Sequence, residues 1–133
     1  MTLQVQVVAP ERVLWAGEAE RVITRIEEGG DIAFLTGHAP FMGALGSGVT
    51  EILTDGGSVL RVAVHRGFVE VSDDRVSILS DTAEMADSVD VARAQQARDR
   101  ASSALQDDDD EEARRAMARA DTRLRAAEGA TEG

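Results

Sequence analysis

The side chains best suited to chemistry in this chain are arginines and acids. All 14 basic residues are arginine, set against 25 acidic ones, and there are two histidines but no cysteine, lysine or tyrosine. Arg93, Arg119 and Arg123 lie in the alanine-rich last third, with Glu84 and Asp90 just upstream. In an antiparallel hairpin turning near residues 107 and 108, Arg93 stands level with about residue 122, so Arg119 and Arg123 fall within one turn of it. Three guanidinium groups converging there could hold a triphosphate, and Asp90 and Glu84 could accept hydrogen bonds from a sugar or base. The plainer reading of the same residues is an Asp90 helix cap with arginines paired to neighbouring acids.

Other chemistries lack their parts. Without lysine there is no P-loop lysine and no Schiff base, and without cysteine no disulfide and no thiolate metal site. His38 and His65 form no His-x-x-x-His pair, and a loop histidine at position 38 satisfied by backbone or by a protein partner is the simpler account. A formal charge of −11 repels phosphate backbones and anionic lipid, so nucleic acid is not an expected partner. From Ile32 to Thr50 the chain has no charged residue apart from His38. Its Gly43, Gly46 and Gly48 match neither a dinucleotide fingerprint nor a Walker loop, and Pro40 with the glycines breaks any membrane span, so no membrane insertion is expected. The acids of "QDDDDEE" suit the positive N-terminus of a helix, and no glycine follows where a calcium loop of the EF-hand type requires one. The first residues lack the basic start and apolar run of a secretion signal, which favours an intracellular protein.

The elements that must position these residues divide the chain near residue 85. "TLQVQVV" and "SVLRVAV" alternate apolar and polar residues, and "RVITRI", "DIAFL", "GVTEILT", "FVEVS" and "RVSILS" are further β-rich runs. Turn signals separate them, with Asp55-Gly56 the strongest hairpin signal. Residues 1–85 are therefore expected to form an antiparallel β-sandwich or barrel. Residues 86–133 read as an antiparallel two-helix hairpin with a frayed tail. Ala94, Ala97, Ala101, Ala104 and Leu105 share one helical face; Ala113, Ala116, Met117, Ala120, Leu124 and Ala127 share another. Alanine methyls bury little area, so this seam should be weakly held and able to rearrange.

A β-domain of this size followed by an alanine-seamed hairpin resembles the epsilon subunit of bacterial F-type ATP synthases. "GDIAFLTGHAPF" (30–41), "VAVHRGFVEVSDDRVSIL" (62–79) and "VDVARA" (89–94) are similar to three segments of that family. The chain departs from them at Ala33, Thr36, Arg66 and Val89; the first three touch turn geometry, and Val89 weakens the match of the helical motif. The resemblance implies a non-catalytic rotor subunit that couples proton-driven rotation to ATP synthesis and restrains hydrolysis. It implies a sandwich bound to the gamma subunit and the c-ring, with Asp31 and His38 facing those partners. It implies helices that can reach the alpha/beta hexamer, where Arg114 and Arg115, with Arg119, Arg123 and Arg125, would meet an acidic segment. It also implies no required cofactor, but ATP as a regulatory ligand on Val89, Asp90, Arg93, Ala94, Arg119 and Arg123, with Glu84 nearby in sequence as a further acceptor. The expected location is the cytoplasmic face of the cell membrane, peripherally, within a complex. The alternatives are a free-standing β-domain that oligomerises through its helices, and a small Ser-His-Asp hydrolase, for which no nucleophile context surrounds either histidine.

Overall fold

Period-two alternation in the first 85 residues folds into strands whose apolar side chains point into one core. In the computed structural model the backbone is described for residues 1–132 and the side chains for residues 1–128; the frayed tail expected at the chain end lies outside the described residues. Strands run β1 Leu3–Ala9, β2 Arg12–Ile26, β3 Gly30–Leu35, β4 Phe41–Leu45, β5 Gly48–Thr54, β6 Val59–Val64, β7 Gly67–Ser72, β8 Arg75–Leu79 and β9 Glu84–Met85. A 3-10 turn at Ala86–Ser88 leads to helices α1 Val91–Asp107 and α2 Glu111–Glu132. Leu3, Val5 and Val7 of β1 alternate inward, as do Val62 and Val64 of β6, Val69 and Val71 of β7, and Val76 and Ile78 of β8, around the fully buried Phe34. The polar pair in this core is satisfied internally, because the buried hydroxyls of Thr24 and Thr50 lie 2.7 Å apart.

The 15-residue β2 joins the two layers of the sandwich. Its first half pairs with β1 from Leu3↔Ala19 to Ala9↔Arg12, and its second half lies between β3 and β5. The strands form one continuous ladder, β1-β8-β7-β4-β2-β5-β6-β9 with β3 also on β2, which folds into a layer of β1-β8-β7-β4 and a layer of β3-β2-β5-β6-β9 joined where Ile26 pairs with Leu45. The expected antiparallel pattern holds with one exception: β1 and β8 are parallel, from Gln4↔Arg75 to Val8↔Leu79. Parallel neighbours need a long crossover, and the strands of the opposite sheet supply it. The first half of β2, β4 and β9 escape the period-two pattern, since "RVLWAGEAE" alternates poorly, "FMGAL" carries a glycine and β9 has two residues. The uncharged stretch after Asp31 thus holds β3, a turn, β4 and the start of β5.

Turn chemistry sets the register. The Asp55-Gly56 hairpin closes as expected, with the Thr54 amide donating to Ser58 O at 2.8 Å and the left-handed residue being Gly57. Asp73 and Asp74 both adopt positive φ, the conformation that matches a two-residue hairpin to the twist of β7 and β8. Arg66 is not among the positive-φ residues, so its replacement of a glycine in the family pattern costs no strain. Gly67, which follows it, is different.

The helices pack on one outer face. α1 and α2 lie antiparallel, and α2 rests on β5, β6 and the 3-10 turn. Buried Ala94 and Ala101 of α1 and Ala113 and Ala120 of α2 form the seam. Ala104, expected there, is exposed: it lies in the last turn of α1, beyond Ala101, the last buried residue of that helix. Glu111 and Glu112 occupy the first turn of α2, as the helix dipole favours.

Gly67 has φ of +155°, and a Cβ there would stand 2.2 Å from the Leu79 carbonyl oxygen. Gly67→Ala is expected to destabilise the sandwich by at least about 2 kcal/mol in urea unfolding, whereas Arg66→Ala changes stability by less than about 0.5 kcal/mol.

Candidate functional site

Strand parity puts a small, mixed surface under α2. On β6, Arg61, Ala63 and the following His65 point outward while Val62 and Val64 point into the core. Ala63, Ala86 and Ala126 pack together with Val49 at the margin. Each buried methyl stabilises by only about 0.8 kcal/mol, so the polar groups beside this patch decide how firmly α2 is held. Glu84 of β9 stands opposite Ala63 in the ladder, and Arg123 Nε of α2 donates to Glu84 Oε1 at 2.6 Å. Both side chains are about one-third exposed, at 29% and 32%.

His65 completes the interface and is the residue that motif reading passed over. Its side chain is 2% exposed, and Nε2 stands 3.8 Å from Glu84 Oε1, too far for a hydrogen bond. Both ring nitrogens and Thr122 Oγ1 are the buried side-chain polar atoms left without a partner among the described residues. Thr122 lies one turn before Ala126 and shares its face, so all of these orphaned atoms belong to the seam between α2 and the sheet. Burial above all, and then the positive charges of Arg123 and Arg119, together lower the His65 pKa from 6.5 to about 4 against the opposing pull of Glu84. The ring is neutral at pH 7. Period-two parity along "RVAVH" is the signal that could have found it.

The residues expected to converge on a triphosphate are only partly brought together. Arg123 meets Glu84, while Asp90 caps α1 by accepting from the Arg93 amide at 3.0 Å. Val89 closes the 3-10 turn through its amide to Ala86 O at 3.3 Å, and Ala94 is buried in the seam. Arg98 Nε bonds Asp121 at 2.7 Å, so facing positions lie about four residues later than a turn at 107 and 108 requires. The connection sits at 108–110 because α1 continues through Asp107. Arg93 then faces about residue 126, leaving Arg123 within a turn of it and Arg119 nearly two turns away. Arg119 pairs with Glu112 at 3.1 Å, Arg115 with Glu111 at 2.9 Å, and Arg114 with Asp109. The acidic run that starts α2 thus engages the arginines that follow it. Arg93 makes no ion pair among the described residues.

The residues expected to face partners occupy two places, not one loop. Asp31 lies in β3 and pairs with Arg25 at 3.1 Å. His38 lies beyond the other end of β3, roughly 10 Å or more away, where Nδ1 meets Ala39 O at 2.7 Å and the ring packs edge-on against Phe34.

The other outer face of the sandwich carries no helix. Across four strands, Ala44 of β4, Phe68 of β7, Leu79 of β8 and Val8 of β1 stand opposite one another in register. They line a groove of about 670 Å³. Phe68 is 57% exposed, and Met42, on the same face of β4, is 70% exposed. Contiguous apolar exposure of this kind marks an interaction surface.

Comparison with known proteins adds the following. Residues 2–86 match the family described as ATP synthase, Delta/Epsilon chain, beta-sandwich domain. The chain is 44% identical over 124 residues to the ATP synthase epsilon chain of Streptomyces griseus, covering 93% of this chain and 94% of that one. It is 41% identical to that of Streptomyces coelicolor, covering 96% of each, and 38% identical to that of Staphylococcus aureus, covering 96% and 97%. A chain in the cryo-EM structure of Euglena gracilis mitochondrial ATP synthase, OSCP/F1/c-ring, shares the fold with a TM-score of 0.72 at 20% identity, covering 98% of this chain and 80% of that one.

The Arg123–Glu84 pair gives a direct test. Arg123→Gln and Glu84→Gln are each expected to destabilise docking of α2 by about 1–2 kcal/mol, and the double variant by no more than the larger single loss, as a double-mutant cycle in thermal unfolding reads.

Proposed function

The chain belongs to the epsilon chains of ATP synthase, and we propose that its uncovered apolar face docks it on the gamma subunit and c-ring of the rotor. It is a non-catalytic subunit of that complex. The observation that carries the docking reading is the rank Ala44, Phe68, Leu79 and Val8 with Met42 beside it. One outer face is covered by the chain's own helices and the other is left for a partner. His38, the position matched to the family's partner-facing histidine, packs against the core-facing Phe34 and Phe41 at the end of the sandwich. The chain's excess of acid suits association with protein, and among the described residues no helix is long and apolar enough to cross a membrane. In this reading the subunit sits peripherally on the cytoplasmic face, held there by its rotor partners.

The hairpin is the regulatory half of the proposal. Released from the sheet, it would carry Arg114 and Arg115 toward the alpha/beta hexamer to restrain hydrolysis. Their present partners, Asp109 and Glu111, are exposed acids of the same helix start, and such pairs contribute only about 0–1 kcal/mol each, so exchange for acids of a partner is cheap.

A specific observation favours a nucleotide as the regulator: Arg93 presents an exposed guanidinium beside the capped start of α1. ATP held there must draw Arg123 from Glu84, and reaching Arg119 as well requires it to leave Glu112. Those exchanges weaken binding, so the expected dissociation constant is on the order of millimolar. Isothermal calorimetry should show this for the whole chain and no binding for Arg93→Ala; equal binding by both contradicts the site.

For docking, Phe68→Asp and Met42→Asp are each expected to weaken binding to purified gamma at least about tenfold while leaving the far-UV circular dichroism unchanged. Unaltered affinity in both variants would move the rotor contact to another surface.

A further inference from the structure

We propose that His65 is a proton-operated latch: protonation of its ring, wedged between β6 and α2, releases α2 from the sandwich. The inference needs no partner protein and rests on the seam alone. With 2% of its side chain exposed, an imidazolium at this position would lose its hydration. The charged groups acting on it come from the elements packed against it: Arg119 and Arg123 of α2 repel a positive ring, and Glu84 of β9 attracts it. Glu84 is already engaged by Arg123 at 2.6 Å, with His65 Nε2 at 3.8 Å from the same oxygen. A protonated ring therefore competes with Arg123 for one carboxylate while lying close to two guanidinium groups.

Undocking removes every term that opposes the proton. Arg119 and Arg123 leave with α2, the ring gains water, and Glu84 is freed to pair with it. What is lost includes the contacts of Ala126 with Ala63 and Ala86 and the partly exposed Arg123–Glu84 pair, in an interface where neither ring nitrogen nor Thr122 Oγ1 has a hydrogen-bond partner among the described residues. The sign follows from linkage. The docked ring titrates at about 4 and the free ring at 6.5, so the open state binds the proton more readily and falling pH drives opening through that window. With those two values the opening constant rises about 30-fold between pH 7.5 and pH 5.

A cysteine under α2 reads that constant directly. Ala63→Cys places a thiol at a position that is 0% exposed while α2 is docked, and Ala86→Cys reads the same opening from a second position. The rate of reaction with dithiodipyridine, divided at each pH by that of a short peptide carrying the same cysteine, gives the opening constant in the full chain. The latch predicts a rise of about 30-fold between pH 7.5 and pH 5 with His65 present, and less than about threefold when His65→Gln or His65→Asn is added. No rise with His65 present overturns it, as does an equal rise in the proteins with and without His65, which would assign the acid response to Glu84 or to general loosening.

Discussion

The contact on which the rest depends is the meeting of α2 with the outer face of β5 and β6. It includes alanine methyls from positions 63, 86 and 126, a partly exposed ion pair between Arg123 and Glu84, and a buried, neutral His65 whose ring nitrogens have no hydrogen-bond partner among the described residues. Apolar burial on this scale is small, and the orphaned polar groups oppose it. The helices are therefore ordered by a contact near balance. A regulatory arm needs this property, since a firmly packed hairpin could not be displaced by a ligand or a partner worth a few kcal/mol.

The sandwich is built on the opposite principle. Its core is built mainly of valine, leucine, isoleucine and phenylalanine side chains, nearly all fully buried, and its long β2 ties both layers together. That rigidity frees its surfaces for separate tasks. The face of β5 and β6 offers small and charged residues to a removable helix. The face of β4, β7, β8 and β1 leaves Phe68, Leu79 and Met42 exposed. In the proposed reading the apolar face would keep the subunit attached and the weak mixed face would let the helices go.

Much of this was legible in the residues themselves. Alternation in "TLQVQVV" and "SVLRVAV" gave the strands, Asp55-Gly56 gave a hairpin, and the alanine spacing gave two helices with an acidic start to the second. The parallel pairing of β1 with β8 was hidden because it depends on where distant strands land, which no local period records. The facing positions across the hairpin were misplaced by one assumption, a turn at 107 and 108, which a shift of a few residues at the connection carries along both helices, and Ala104 was misplaced because helical period does not show where along a face the packing ends. His65 was overlooked for a different reason: its importance lies in which face of β6 it occupies and in what α2 brings to it. The apolar rank was hidden likewise, since Phe68, Leu79 and Val8 are far apart in the chain and adjacent only through pairing.

The central claim is that α2 opens from the sandwich at a free energy well below that of global unfolding. Native-state hydrogen exchange on the full chain measures both in one experiment. The account predicts that amides of α2 exchange through a local opening with protection at least about 100-fold lower than those of β7 and β8, and with little dependence on denaturant. Equal protection in α2 and in β7 and β8, with the same denaturant dependence, would show the helices and the sandwich to be one cooperative unit and would contradict it.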